Sequence, residues 1–164
     1  MLPGNKDLLA SHVTWNSYQS MLRMLKKYDL NFRLADLEVT GERVPGRVMA
    51  FSGYPGVIYS GDDFTLIFPS GLTTIETTIG NANADLWKFV HASGTVLEGV
   101  RATVANRLAT TGKQWARIFA KHNSGIYTWY TEALNIATNP TMEIRQLCRP
   151  PNDMSVRFMS ESKV

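Results

Sequence analysis

Residues 8–28, LLASHVTWNSYQSMLRMLKKY, contain a change of hydrophobic period that orders the first part of the chain. Apolar and polar positions alternate with a period of about 2 as far as Thr14 and with a period of about 3.6 from Trp15 and Asn16 onward. The pattern predicts a short strand running into a helix. Asn16 with Gln19 three residues later resembles a capping box, and Trp15, Tyr18, Met21, Leu22, Leu25 and Tyr28 fall on one helical stripe. A loop follows to Val44-Pro45-Gly46. Residues 47–52, 57–59, 64–68 and 71–80 then read as four closely spaced strands separated by Gly- and Pro-rich turns. Strands so close together are most simply joined as an antiparallel meander.

The last of these, GLTTIETTIG, puts Leu72, Thr74, Glu76 and Thr78 on one face and Thr73, Ile75, Thr77 and Ile79 on the other. Neither face is cleanly apolar, so its threonines and glutamate need hydrogen-bond partners or a polar cleft. Threonine is also a good strand former, so each taken singly is equally well explained by structure. Three helices complete the pattern. Residues 84–90 predict a short one with Leu86, Trp87 and Val90 inward. Residues 96–109 predict a longer one with Val96, Val100, Val104 and Leu108 inward. Thr111 and Gln114 cap a third, with Trp115, Ile118, Phe119 and His122 as its inner stripe and Asn123-Ser124-Gly125 at its end. Strands followed by helices give an α+β class, a sheet covered by helices.

Composition narrows the function classes. At 164 residues and 44% hydrophobic content the chain is the size of one domain with a core. Its net charge of +3 comes from 17 basic and 14 acidic residues, scattered without the cluster of a nucleic-acid footprint, so no nucleic-acid partner is expected. No run approaches the roughly 20 apolar residues of a membrane span, and the start carries no signal-peptide pattern. Met1-Leu2-Pro3-Gly4 leads almost at once into a strand, as expected for a piece of a longer protein. Cys148, the single cysteine, excludes an internal disulfide and a cysteine zinc site; it reads as a free surface thiol, and no metal or cofactor is expected. No glycosylation sequon is present, since Asn139 precedes a proline.

His12 is the first candidate for chemistry, because a polar group at the end of a strand, held by the element that follows, is fixed in position by the scaffold. A lone histidine among apolar residues is, taken alone, more often a hydrogen-bonded structural residue. The wording around it adds to the reading. LLASHVTWNSYQSMLRMLKKY, FSGYPGVIYSGDDF, SGLTTIETTIGNANADLWKFV, GTVLEGVRATVANRLATTGKQWARIF, and NSG followed by Tyr127, in that order, resemble the phospholipase B-like (lamina ancestor-like) family, lysosomal or secreted members of the N-terminal nucleophile hydrolase group.

The resemblance covers residues 1–127 and implies a partial αββα sandwich. It implies a hydrolase of lipid ester or amide bonds, with a lipid or amide small-molecule substrate and a lysosomal or secreted location. In this reading His12 is catalytic, orienting or polarising the nucleophile or the substrate carbonyl. Thr14 and Trp15 shape the pocket beside it, and Thr77 and Asn81 contribute to its lining. The family's nucleophilic cysteine matches no position here, and its pair of asparagines after Tyr127 is replaced by Thr128-Trp129-Tyr130. Val13 stands where the family has asparagine. The polypeptide by itself is therefore expected to be inactive, with 128–164 a divergent, poorly ordered tail and open sheet edges inviting self-association. The other reading is a non-enzymatic module of that fold, binding lipid or protein through Trp15, Tyr18, Tyr54 and Trp87.

Overall fold

Among the described residues, six antiparallel strands form one sheet in the order of the chain: β1 (Met24–Asp29), β2 (Val48–Gly53), β3 (Phe64–Phe68), β4 (Leu72–Ile79), β5 (Thr128–Asn135) and β6 (Glu143–Leu147). Two helices, α1 (Glu98–Leu108) and α2 (Gly112–Phe119), lie between β4 and β5 in sequence, and 3-10 turns form at Tyr18–Ser20 and Ala84–Phe89. The computed structural model describes residues 11–14, 16–34, 41–62, 64–79, 83–90, 92–124, 128–135 and 143–147. The α+β class and the meander agree with the hydrophobic pattern. β5 and β6 fall within residues 128–164 and continue the same order.

Register explains where the core sits. Met49 pairs with Ile67 and Ile67 with Leu72, while Phe51 pairs with Thr65 and Thr65 with Thr74. Directly paired residues share a face, so these side chains form one surface, and the helices cover it. Ile67, Leu72, Ala105, Ala109, Trp115 and Phe119 make the central cluster. Trp115 and Phe119 stack at 4.6 Å between ring centroids, and the Trp115 indole N–H donates to Asn106 Oδ1 at 2.6 Å. The cap of α2 is as the sequence indicates, Thr111 Oγ1 accepting from the Gln114 N–H at 3.2 Å. Gln114 Oε1 in turn accepts from both the backbone N–H and the hydroxyl of Thr110.

The buried side of α1 departs from the expected valine stripe. Val96, Val100 (50% exposed) and Val104 face outward and Leu108 is half-buried, while Arg101, Ala105, Asn106 and Arg107 are buried. A guanidinium can be buried where carbonyl oxygens meet its N–H groups. Arg107 Nη1 donates to Gly46 O at 2.7 Å and Arg47 O at 2.6 Å, and Arg101 Nη1 donates to Phe119 O at 2.6 Å with Nε on Val96 O at 3.1 Å. Arg101 also lies 4.4 Å over the Phe119 ring. These contacts set the rotation of the helix more firmly than three valines would. Gly46 completes the seat: its N–H donates to Arg107 O at 2.8 Å, and a Cβ there would stand 2.2 Å from Asn106 O.

The first half of the chain differs most from expectation. Residues 8–10 lie outside the described residues, 11–14 have no regular structure, and the expected helix is replaced by one 3-10 turn and strand β1. A helix of that length depends on burying its apolar stripe. Here Tyr18 is 90% and Leu25 84% exposed, so nothing supports the stripe, whereas β2 offers a complete ladder from Met24↔Gly53 to Asp29↔Val48. The Asn16–Gln19 box is also absent: Asn16 Oδ1 accepts from Ser17 N–H, and the turn's N-cap, Ser17, makes no side-chain cap.

Smaller corrections follow the same logic. Residues 57–59 bend instead of forming a strand, because the carbonyls of Tyr54 and Val57 are taken by the Lys26 ammonium and not by a neighbouring strand. Trp87 is 65% exposed on its 3-10 turn, not inward. The side chain of Leu86 lies outside the described residues. His122 sits three residues past the end of α2, exposed, with φ 57° and Nδ1 3.3 Å from Gly94 O, so it is not part of the inner stripe. Helix α2 ends at Phe119, ahead of the Asn-Ser-Gly signal.

Two substitutions test this packing by denaturant unfolding. Trp115→Phe keeps an aromatic side chain but removes the indole N–H and part of the core volume, leaving Asn106 Oδ1 buried without its donor, and is expected to cost at least about 1 to 3 kcal/mol. Gly46→Ala forces backbone against backbone at the seat of α1 and is expected to cost on the order of 1 to 3 kcal/mol, with unfolding still cooperative.

Candidate functional site

The candidate site lies on the face of the sheet away from the helices. Ser52 and Phe64 occupy positions of opposite parity to the core residues Phe51 and Thr65, and segment 11–14 passes beside them. A cavity of about 470 Å³ is lined there by Ser11, His12, Val13, Thr14, Arg23, Ser52, Asp62 and Phe64. That volume falls within the range of small-molecule sites. The other notable space, about 40 Å³ between sheet and α1 and bordered by Thr74, Glu76 and Asn106, holds at most a few waters.

Asp62 organises the larger cavity. It is only 4% exposed, in the turn before β3. Its Oδ1 accepts from Arg23 Nε at 2.8 Å and from the Tyr54 hydroxyl at 3.1 Å, and its backbone carbonyl accepts from Thr14 Oγ1 at 3.1 Å. The chain that follows His12 is thereby tied to the sheet twice, through Thr14 and again through Arg23. Arg23 also lies 5.7 Å over the Tyr54 ring. The remaining oxygen, Oδ2, is buried without a hydrogen-bond partner among the described residues. Lys26 holds the neighbouring loop by its two carbonyls, which keeps Tyr54 in place.

The electrostatics follow from this geometry. Burial pushes the Asp62 carboxyl up, but Arg23, Ser52 and Tyr54 together outweigh it and hold the group below the usual aspartate range. The Arg23 guanidinium is held above its ordinary value by the hydrogen bond to Asp62. Tyr54 is raised, by burial first and by Asp62 second.

Of the residues the sequence singles out, the structure brings His12 and Thr14 together at this cavity, both half-buried. Trp15 and Asn81 lie outside the described residues; Thr77 sits in β4 paired with Tyr130, its side chain outside the description. Sequence reasoning missed Arg23 and Asp62, and named Tyr54 only as a surface aromatic of the binding-module reading. Arg23 reads as the polar side of a helix, and Gly61-Asp62-Asp63 reads as an ordinary turn. Only the fold brings residues 39 positions apart into contact. Among the described residues there is no grouping of three His, Cys, Asp or Glu side chains that could hold a metal ion.

Because the folded pKa of Asp62 lies below its unfolded value of about 4, the carboxylate contributes stability above that pH and loses it as pH falls through the folded pKa. Asp62→Asn is expected to melt below the parent near neutral pH, and the two curves are expected to converge below about pH 4. Melting temperature followed across that range measures the difference.

Comparison with known proteins agrees with the resemblance read from the sequence. The family model described as Phospholipase B matches residues 1–136. The chain is 56% identical over 127 residues to phospholipase B-like 2 of Mus musculus, and 55% identical over 130 residues to its Homo sapiens counterpart. In both cases the match covers 77% of this chain and 21% of the relative. Phospholipase B-like protein A of Dictyostelium discoideum is 42% identical over 121 residues, which is 74% of this chain and 20% of that protein. The chain thus spans about a fifth of the length of these relatives. It belongs to the phospholipase B-like family.

Proposed function

We propose that this chain forms one wall of the reaction chamber of a phospholipase B-like hydrolase that cleaves ester or amide bonds of lipids, with His12 at the scissile carbonyl. The observation that carries the reading is the position of His12. It lines a ligand-sized cavity among Ser11, Thr14, Arg23 and Ser52 instead of being packed among aliphatic side chains. An imidazole so placed can hydrogen-bond a carbonyl oxygen or the attacking group, the role of a general acid or base. The sheet face that bears the cavity is the one the helices leave free, which suits the inner face of an αββα sandwich. The nucleophile belongs, in this reading, to another part of the family's polypeptide. Its attack on the carbonyl carbon forms the acyl–enzyme bond and breaks the C–O or C–N bond to the leaving group. A lysosomal or secreted setting completes the proposal; among the described residues no helix is long and apolar enough to cross a membrane.

A second reading draws on surface chemistry. Tyr18 and Trp87 are largely exposed, as are Met21, Leu22 and Leu25, and β1 is an outer strand of the sheet. These features suit a module that binds lipid or protein, or that self-associates along the edge.

The test is to add phospholipid and N-acyl amide substrates to the 164-residue chain. The expected result is movement of the His12 ring resonances on substrate addition, without release of fatty acid. Turnover that survives His12→Ala, or His12 signals that do not respond to either substrate, overturns the hydrolase reading. Sedimentation with liposomes that is lost in Tyr18→Ser and Trp87→Ser but kept in His12→Ala supports the binding module instead.

A further inference from the structure

The family reading accounts for His12 and Thr14 but gives no part to Arg23, which lines the same cavity. Its Nε is committed to Asp62 Oδ1 at 2.8 Å and its plane lies by the Tyr54 ring. A guanidinium has five N–H donors, and a partner on Nε holds its fork in one orientation while leaving the terminal nitrogens for other acceptors. The Arg23 side chain is 30% exposed and that of Asp62 6%, so a ligand entering the cavity meets the guanidinium and not the carboxylate that steadies it.

Beside the apolar Val13 and Phe64, the polar part of the lining points the same way. Ser11 and His12 contribute a hydroxyl and an imidazole able to donate, while the Ser52 hydroxyl is engaged with Asp62 and the Thr14 hydroxyl already donates to Asp62 O. Asp62 is the one acidic side chain of the lining among the described residues, and it is buried beneath Arg23. A cationic group would face Arg23 unfavourably, and a purely apolar group would leave these donors without acceptors. A ligand rich in acceptor oxygens and carrying negative charge matches both requirements.

We propose that Arg23 is the anion-recognising residue of this cavity, binding a phosphate-type oxyanion through its terminal N–H groups while Asp62 and Tyr54 hold it in place. The inference rests on the reading of this cavity as the substrate chamber and adds the part of the ligand that is held away from the scissile bond. Arg23 is a binding residue, and Asp62 acts through it as a positioning residue. The oxyanion can be the phosphodiester of a lipid headgroup or free phosphate, since both offer the same oxygens.

The test uses the 164-residue chain with two acyl-free probes, glycerophosphocholine and inorganic phosphate, so that it reads Arg23 independently of any carbonyl chemistry at His12. In the unsubstituted chain, a probe that binds is expected to shift the Arg23 guanidinium nitrogen resonances. Arg23→Gln is expected to weaken binding by roughly tenfold or more, and Arg23→Lys, which keeps the charge but not the fork, by less. Binding of the diester alone assigns the site to a headgroup, and binding of phosphate alone assigns it to the free anion. The proposal is overturned if neither probe moves the Arg23 signals, or if affinity is unchanged in Arg23→Gln. The resonance readout needs no variant, so loss of folding in Arg23→Gln does not obscure the result. A chain that binds these probes through Arg23 while its His12 signals ignore acyl substrates would keep this inference and remove the hydrolase reading.

Discussion

Helix α1 can lie on the sheet only because two guanidinium groups are buried with their hydrogen bonds satisfied. Arg107 reaches the carbonyls of Gly46 and Arg47 just ahead of β2, and Arg101 reaches the carbonyl of Phe119 at the end of α2. Burial lowers the pKa of both arginines, the direction expected of the desolvation these contacts must offset. The first ties α1 to the sheet and the second ties α1 to α2. Trp115 and Phe119 then stack over Ile67 and Leu72, and the apolar core closes around groups whose positions are already set.

With one face covered in this way, the other face of β2 and β3 is left to carry the cavity. There the same physical device recurs in a different form. A buried carboxylate, Asp62, gathers an arginine, a tyrosine and, through its backbone, a threonine from three separate stretches of chain. It holds an otherwise irregular segment, residues 11–23, against the sheet. His12 owes its place beside the cavity to that anchoring, since no regular element carries it. The segment on which the family signature is written is thus positioned by tertiary hydrogen bonds and not by a helix of its own.

The family, the α+β class, the strands at 64–68 and 71–80, the Thr111 cap and the Trp115–Phe119 pair were all legible in the chain. Each depends on local pattern: period-2 alternation between turn residues, a capping hydroxyl three residues ahead of its N–H, and aromatic residues one turn apart. His12 and Thr14 could be singled out as candidates because the wording around them is specific, and both line the cavity. Residues 24–29 were misread because a stretch such as MLRMLKKYD satisfies a helical stripe and a strand equally well, and the decision belonged to β2, which offers a ladder where nothing offers a surface for the stripe. The rotation of α1 was misread because valines outrank arginines on any hydrophobic scale, whereas in the folded chain four backbone carbonyls reversed the order.

Local sequence therefore determined the strands at 64–68 and 71–80, the capped helix α2, and the family whose words they spell. The tertiary structure alone decided which faces are buried and which distant side chains meet. Arg23 and Asp62, 39 residues apart, gave no sign of each other in the chain, because the contact between them is a property of how β1, β2 and the turn before β3 are brought together. Periodicity reports the short-range geometry of a backbone, and a buried ion pair depends on long-range closure, which periodicity does not encode.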